Sequence, residues 1–290
     1  MSQQESTIFR RATIIGPGLL GASIGMALYE RKIAPEIHAY LRNEKKRKIC
    51  ESSEWCDRAF TELLPAVEDS DLILLCTTVD HIADLLPQVL QSAKQGALIT
   101  DVGSLKEKIC EIAEASVGIE HGKFIGSHPM TGSEKNGIDN ASSRIFEGKE
   151  CIITPSGESD NYRLEKLALM WGSIGMNVTI MTPTLHDEIV ATISHLPHLV
   201  SSSLMNAMTK NKEWLKLSGK GLKDTTRIAS GNPDMWMQIL KGNKKNLLKE
   251  IDLIKQELEK FKMALRSDDC KELISLLANA KELRDGLNDI

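Results

Sequence analysis

No run of about 18 apolar residues occurs in this 290-residue sequence, so no segment is suited to cross a bilayer as a helix. Its six cysteines (Cys50, Cys56, Cys76, Cys110, Cys151 and Cys270) include no C-x-x-C pair, which argues against a zinc knuckle or a disulfide frame and for reduced core thiols. The opening residues Met1 to Thr7 lack a basic stretch followed by an apolar core. They are not expected to act as a secretory signal, and the cytoplasm is the expected compartment. An excess of one charge is missing too: 36 Lys and Arg face 40 Asp and Glu, a net charge of −4. Neither half has the cation surplus that a phosphate backbone demands, so nucleic acid is not an expected partner. Internal repeats and low-complexity tracts are also absent. What remains, 41% hydrophobic and 26% charged residues, is an ordinary globular composition in a chain long enough for two domains.

From Ala12 to about Met181 short apolar runs alternate with amphipathic stretches, the pattern of a parallel sheet covered on both faces. Strands are expected at Ala12 to Ile15, Glu36 to Tyr40, Asp71 to Cys76, Ala97 to Thr100, Lys123 to Gly126, Cys151 to Thr154 and Asn177 to Ile180. After Thr182 the β-branched clusters vanish and the chain reads as helices broken near Lys210 to Lys212, Gly219 to Gly221, Gly231 to Pro233 and Ser267 to Asp269. The expected division is an α/β domain over residues 1–182 and an all-α domain over residues 183–290. In the second, Leu247, Leu248, Ile251, Ile254, Leu258, Phe261 and Leu265 recur three or four apart, and such a stripe requires a partner surface. Packing within the domain and a seam between two copies both satisfy it.

Gly16-Pro17-Gly18-Leu19-Leu20-Gly21 fits G-x-G-x-x-G between the strand Thr13-Ile14-Ile15 and a helix running to about Arg31. The first glycine permits a tight turn, the second lets a pyrophosphate approach the backbone, and the third allows close helix–strand packing. This is a Rossmann-type signature, and Gly16, Gly18, Leu19, Leu20 and Gly21 are the expected dinucleotide cradle, with Thr77 past a later strand as a further contact. The acidic residue that holds the ribose of NAD some 20 positions on is missing. Arg42 ends the second strand instead, followed by Lys45, Lys46, Arg47 and Lys48. A guanidinium there favours a 2′-phosphate, so the expected cofactor is NAD(P), with NADP favoured.

Three further segments carry polar groups: Asp101-Val102-Gly103-Ser104-Leu105-Lys106, Ser127-His128-Pro129-Met130-Thr131-Gly132-Ser133-Glu134, and Asp224-Thr225-Thr226-Arg227-Ile228-Ala229. With the glycine cradle and His186-Asp187 leading to Ser194-His195-Leu196-Pro197-His198, they resemble, over about residues 12 to 240, the prephenate and arogenate dehydrogenase family of tyrosine biosynthesis. The resemblance implies oxidation at the C4 hydroxyl of prephenate with hydride transfer to the nicotinamide, loss of the ring carboxylate as carbon dioxide, and formation of 4-hydroxyphenylpyruvate. Arogenate would give tyrosine directly.

A base that is neutral near pH 7 suits that step, and His128 is the expected one, matching the family's catalytic histidine. Ser104 is expected to orient substrate and base, and also to cap a helix from Leu105 to Ala115. Arg227 matches the family's clamp for the substrate carboxylates. His198 and Ser194 are implied to face the substrate side chain; Trp236 occupies a family position near the site, either reaching a neighbouring subunit or packing in the core, and Glu134 either gates the entrance or is a solvated residue. The spacing of His186, His195 and His198 is compatible with a metal, but Pro197 disturbs it and no metal is expected. The expected partners are a small-molecule substrate and a second copy in a homodimer. Two alternatives stand beside this reading: another two-domain hydroxy-acid dehydrogenase, and a dinucleotide-binding sensor without turnover.

Overall fold

The computed structural model describes residues 7–287 apart from 117, 119–120, 132–136 and 158–159. Glu134 therefore lies outside the described residues.

The first half alternates β1 (Arg11–Ile15), α1 (Leu19–Glu30), β2 (Glu36–Tyr40), α2 (Glu44–Glu51), β3 (Arg58–Phe60), α3 (Leu63–Val67), β4 (Leu72–Leu75), α4 (Val79–Ser92), β5 (Leu98–Asp101), α5 (Glu107–Ala115) and β6 (Lys123–Phe124). These strands form one parallel six-stranded sheet in the order β3-β2-β1-β4-β5-β6. This is the doubly wound Rossmann order, whose direction reverses between β1 and β4 and leaves a crevice beyond their carboxyl ends. Successive residues feed opposite faces, as a strand's period of two requires. Ile14, Leu72 and Leu74 pack with α1 on one side, while Ile15, Ile73 and Leu75 pack with α4 on the other. Each such fully buried side chain contributes about 1.5–3 kcal/mol.

A second sheet of three strands follows: β7 (Gly126–Pro129), β8 (Glu150–Thr154) and, after α6 (Asn161–Ser173), β9 (Asn177–Ile180). The single strand expected over Lys123 to Gly126 is thus two. β6 closes the large sheet, and β7 runs antiparallel to β8. Ser127 tethers β7 to the end of β5, its Oγ donating to the Asp101 carbonyl at 2.7 Å and its N–H to Asp101 Oδ1 at 3.2 Å.

The second half is helical: α7 (Pro183–Val190), a π turn (Ala191–His195), α8 (Leu196–Ala207), a 3-10 segment (Met208–Leu217), α9 (Lys220–Thr226), a 3-10 turn (Arg227–Ser230), α10 (Pro233–Gly242), α11 (Lys244–Arg266) and α12 (Cys270–Gly286). Thr182 caps α7 by accepting from the Leu185 N–H at 3.3 Å, with Pro183 at the first helical position. Asn232 and Pro233 repeat the device at α10. Pro197 has no N–H for the carbonyl of Ile193, and the π turn falls on the residues that the missing bond frees.

Most of the apolar stripe on α11 is not covered by its own chain: Leu247 is buried, but Leu248, Leu258 and Leu265 are 51%, 62% and 63% exposed. α12 buries no residue at all. Among the described residues, no helix is long and apolar enough to cross a membrane.

Candidate active site

At the β1/β4 crevice the glycine turn has the geometry its sequence demands. Gly16 has φ +83°, and a Cβ there would lie 2.4 Å from Thr77 Cγ2. A Cβ on Gly21 would lie 2.7 Å from the Gly16 carbonyl oxygen, so only glycine lets α1 approach the turn this closely. Gly18 faces open space instead, and as N-cap of α1 it supplies no side-chain hydrogen bond. The first N–H groups of α1 near Leu19 and Leu20 are thus left without a side-chain cap beside open space at Gly18, the arrangement in which a helix start can receive an anion. Arg42 is exposed just past β2 and has no hydrogen bond among the described residues, whereas Arg47 is held by Glu44 and Glu51.

Beyond β5 a fully buried ion pair joins Asp101 to Lys106, and Asp101 also accepts from the Gly103 N–H at 2.8 Å. Removing one partner of such a pair costs about 3–5 kcal/mol, because the other charge is left buried alone. The pair fixes the short loop that carries Ser104. Contrary to expectation, Ser104 caps nothing: α5 starts at Glu107, and Lys106 in the cap position gives no side-chain bond. The cap comes from the helical half. Asp187 Oδ1 accepts from the Lys106 N–H at 2.9 Å, and Asp187 Oδ2 accepts from the Glu107 N–H at 3.1 Å. Nor does a hydrogen bond join Ser104 to His128 among the described residues.

His128 sits within β7, half-buried, rather than after a strand as the sequence suggested. Its Nδ1 lies 2.8 Å from His186 Nε2, and His186 Nδ1 lies 2.7 Å from Asp187 Oδ1. Burial pushes the His128 imidazole well below the ordinary histidine range, and the neighbouring His186, Lys106 and His195 push the same way. Burial also lowers His186, with Asp187 opposing. His128 is therefore a neutral ring with one nitrogen engaged by protein.

The chain of contacts continues into the helices. Asn243 Nδ2 donates to the Asp187 carbonyl at 2.6 Å and lies 3.2 Å from His195 Nδ1. His195, lowered by burial to about 4, meets the edge of Trp236, and Trp236 stacks on His198 with ring centroids 3.5 Å apart. Trp236 thus packs within its own chain. A Cβ on Gly231 would lie 2.4 Å from Trp236 Nε1 and 3.2 Å from His198 Cε1, so glycine alone admits this stack. His198 Nδ1 and, one turn on, Ser201 Oγ are buried without hydrogen-bond partners among the described residues. Such groups are costly unless something bonds them. Ser194 lies part-buried on the π turn. Arg227 opens the 3-10 turn between α9 and α10, exposed and with no hydrogen bond or ion pair among the described residues.

The structure therefore joins His128, His195, His198 and Trp236 in one network, of which Arg227 is not a bonded member. Sequence reasoning missed the connecting groups, His186, Asp187 and Asn243. Adjacent His186-Asp187 carried the signal, but its partners lie 80 and 58 positions away.

Comparison with known proteins agrees with this architecture. Residues 24–180 match the family profile described as "Prephenate dehydrogenase, nucleotide-binding domain", and residues 182–279 match "Prephenate dehydrogenase, dimerization domain". The prephenate dehydrogenase of Bacillus subtilis is 30% identical over 99% of this chain and 77% of its own length. Among solved structures, prephenate dehydrogenase from A. aeolicus in complex with hydroxyphenyl propionate and NAD+ superposes with a TM-score of 0.86 at 28% identity, covering 96% of this chain and 98% of that one. Synechocystis arogenate dehydrogenase gives 0.83 at 28% identity, covering 96% and 99%. With a glycine-rich turn between β1 and α1, a half-buried neutral histidine on β7, and matches that run through both halves, the chain belongs to the prephenate dehydrogenase family.

Proposed function

We propose that this protein oxidatively decarboxylates prephenate to 4-hydroxyphenylpyruvate, or arogenate to tyrosine. The observation that carries the reading is His128, a neutral imidazole bonded to His186 through Nδ1, with the His128 Nε2 making no hydrogen bond among the described residues. The dinucleotide, when bound in the Gly16–Gly21 cradle, supplies the hydride acceptor. His128 Nε2 accepts the proton of the C4 hydroxyl as hydride leaves C4. The ring carboxylate departs as carbon dioxide, its bonding pair aromatises the ring, and His128 returns the proton to the same oxygen, now phenolic. Proton uptake and release at His128 balance, so no net proton is consumed.

Ser104 holds the substrate hydroxyl, and Arg227 grips a carboxylate as a bidentate fork. His198 and Ser194 receive the side chain, which gives the orphaned His198 Nδ1 a partner, and Trp236 fixes the His198 ring. Residues 1–182 bind the dinucleotide; residues 183–290 bind substrate and pair with a second copy. The exposed leucines of α11 and α12 supply that seam. Arg42, free and beyond β2, favours the 2′-phosphate of NADP. Six free cysteines accord with a reducing, cytoplasmic setting.

Initial rates of reduced-nicotinamide formation with prephenate and arogenate, each crossed with NAD and NADP, test the reading. Turnover in at least one combination is expected. No rate above background in all four overturns the activity, and tenfold preference for NAD overturns the role of Arg42.

A further inference from the structure

Two groups outside the roles assigned above connect to the base. Asp187 is almost fully buried, and both its carboxylate oxygens accept backbone N–H groups of the first turn of α5, Lys106 to Oδ1 and Glu107 to Oδ2. A carboxylate so occupied acts only as acceptor, and its charge faces the positive end of α5. His186 Nδ1, 2.7 Å from Oδ1, must then be the N–H end of its ring. The neutral ring's other nitrogen, Nε2, is a lone pair, and 2.8 Å away it can only accept from His128 Nδ1–H. The remaining nitrogen of His128, Nε2, is thereby left unprotonated.

We infer that His186 and Asp187 form a positioning relay that fixes His128 as the Nδ1–H tautomer, so that Nε2 faces the reacting hydroxyl as a base. When His128 Nε2 takes a proton, its Nδ1–H remains on His186 and the cationic ring is stabilised through His186 by the Asp187 carboxylate; no second proton moves. Asp187 caps α5 of the dinucleotide half from α7 of the helical half, and Asn243 holds its backbone carbonyl at 2.6 Å. The same contact that seats the two halves on each other thus orients the base. This inference rests on the catalytic role given to His128, but the tautomer it specifies is observable without turnover.

Histidine 15N spectra of the full-length protein test it. In the wild type, His128 and His186 should both show the Nδ1–H pattern near neutral pH. His186→Leu removes the acceptor but leaves Asp187 on α5. It should release His128 toward Nε2–H and lower kcat by about 10²–10⁴-fold, with KM changed less than about threefold. His186→Gln supplies an amide oxygen to His128 Nδ1–H and should keep the tautomer, losing only about tenfold in kcat. Asp187→Asn, which disturbs the α5 cap as well, should scramble both tautomers and lower the unfolding temperature. Wild-type His128 in the Nε2–H form, or equal activity of the Leu and Gln variants, overturns the relay. If the wild type oxidises neither substrate yet shows both Nδ1–H tautomers, the relay stands and the proposed reaction fails.

Discussion

The two halves of this chain solve the burial problem differently. In the dinucleotide half, β1, β4 and β5 are enclosed by helices on both faces, and Ile14, Ile73 and Leu74 have no exposed surface. In the helical half, α11 and α12 leave Leu253, Leu258, Met263, Ile274, Leu277 and Leu283 more than half exposed. The first half completes its own core, whereas the second has apolar area suited to another copy. Polar groups divide in a related way. His128 stands on the sheet side, while Arg227, His198 and Trp236 stand on the helices. On the proposed reading one half holds the chemistry and the other the grip, with Asp187 between them.

That division is most sharply probed by kinetics. His128→Asn should lower kcat by about 10²–10⁴-fold while leaving dinucleotide affinity unchanged in a binding titration. Retained turnover would move the chemistry elsewhere. Arg227→Ala should do the converse, raising KM with little change in kcat and losing about 2–4 kcal/mol of substrate binding. An unaltered KM would take the grip away from the helical half.

Two substitutions of apolar residues, one buried and one exposed, contrast the halves. Ile73→Ala should destabilise by about 2–5 kcal/mol, read as a lower unfolding temperature, because it opens a cavity in a closed core. Leu258→Glu should leave the single chain's fold intact and shift sedimentation from dimer toward monomer, since Leu258 is 62% exposed on its own chain. A dimer unaffected by that charge would place the seam on another face.

The smallest expected effect is the pH response of the junction. His195 faces Asp187, His186 and His198, and burial depresses it to about 4 in the folded state. Its neutral form is the one that folding favours. Its contribution is therefore full above the unfolded value of about 6.5 and is lost progressively as pH falls toward 4. His186 and His128 are depressed in the same sense and add to it. Unfolding temperature should fall over this window, and His195→Gln should flatten the decline.

Most of the sheet was legible because buried parallel strands are written as apolar runs. Leu72-Ile73-Leu74-Leu75 admits little else, and Glu36–Tyr40 and Asn177–Ile180 carry their expected bounds. β3 escaped because three residues, Arg58-Ala59-Phe60, make no run; it exists by pairing with β2. The break between β6 and β7 was hidden for a similar reason, since Ser127 is drawn away by Asp101, far back in the chain. In the site, motif residues were visible as motifs, but the helix cap was misassigned. Ser104 is the local candidate, and the actual cap, Asp187, arrives from another domain.

The sequence by itself determined the alternation of strands and helices and the glycine-rich turn, because each depends on residue types within a few positions of one another; His128 is the base that the family resemblance implies. Only the tertiary structure decided which nitrogen of His128 is held, what caps α5, and which leucines stay uncovered. Those depend on groups brought within about 3 Å across dozens of residues, where hydrogen-bond geometry and burial act and local pattern carries no information.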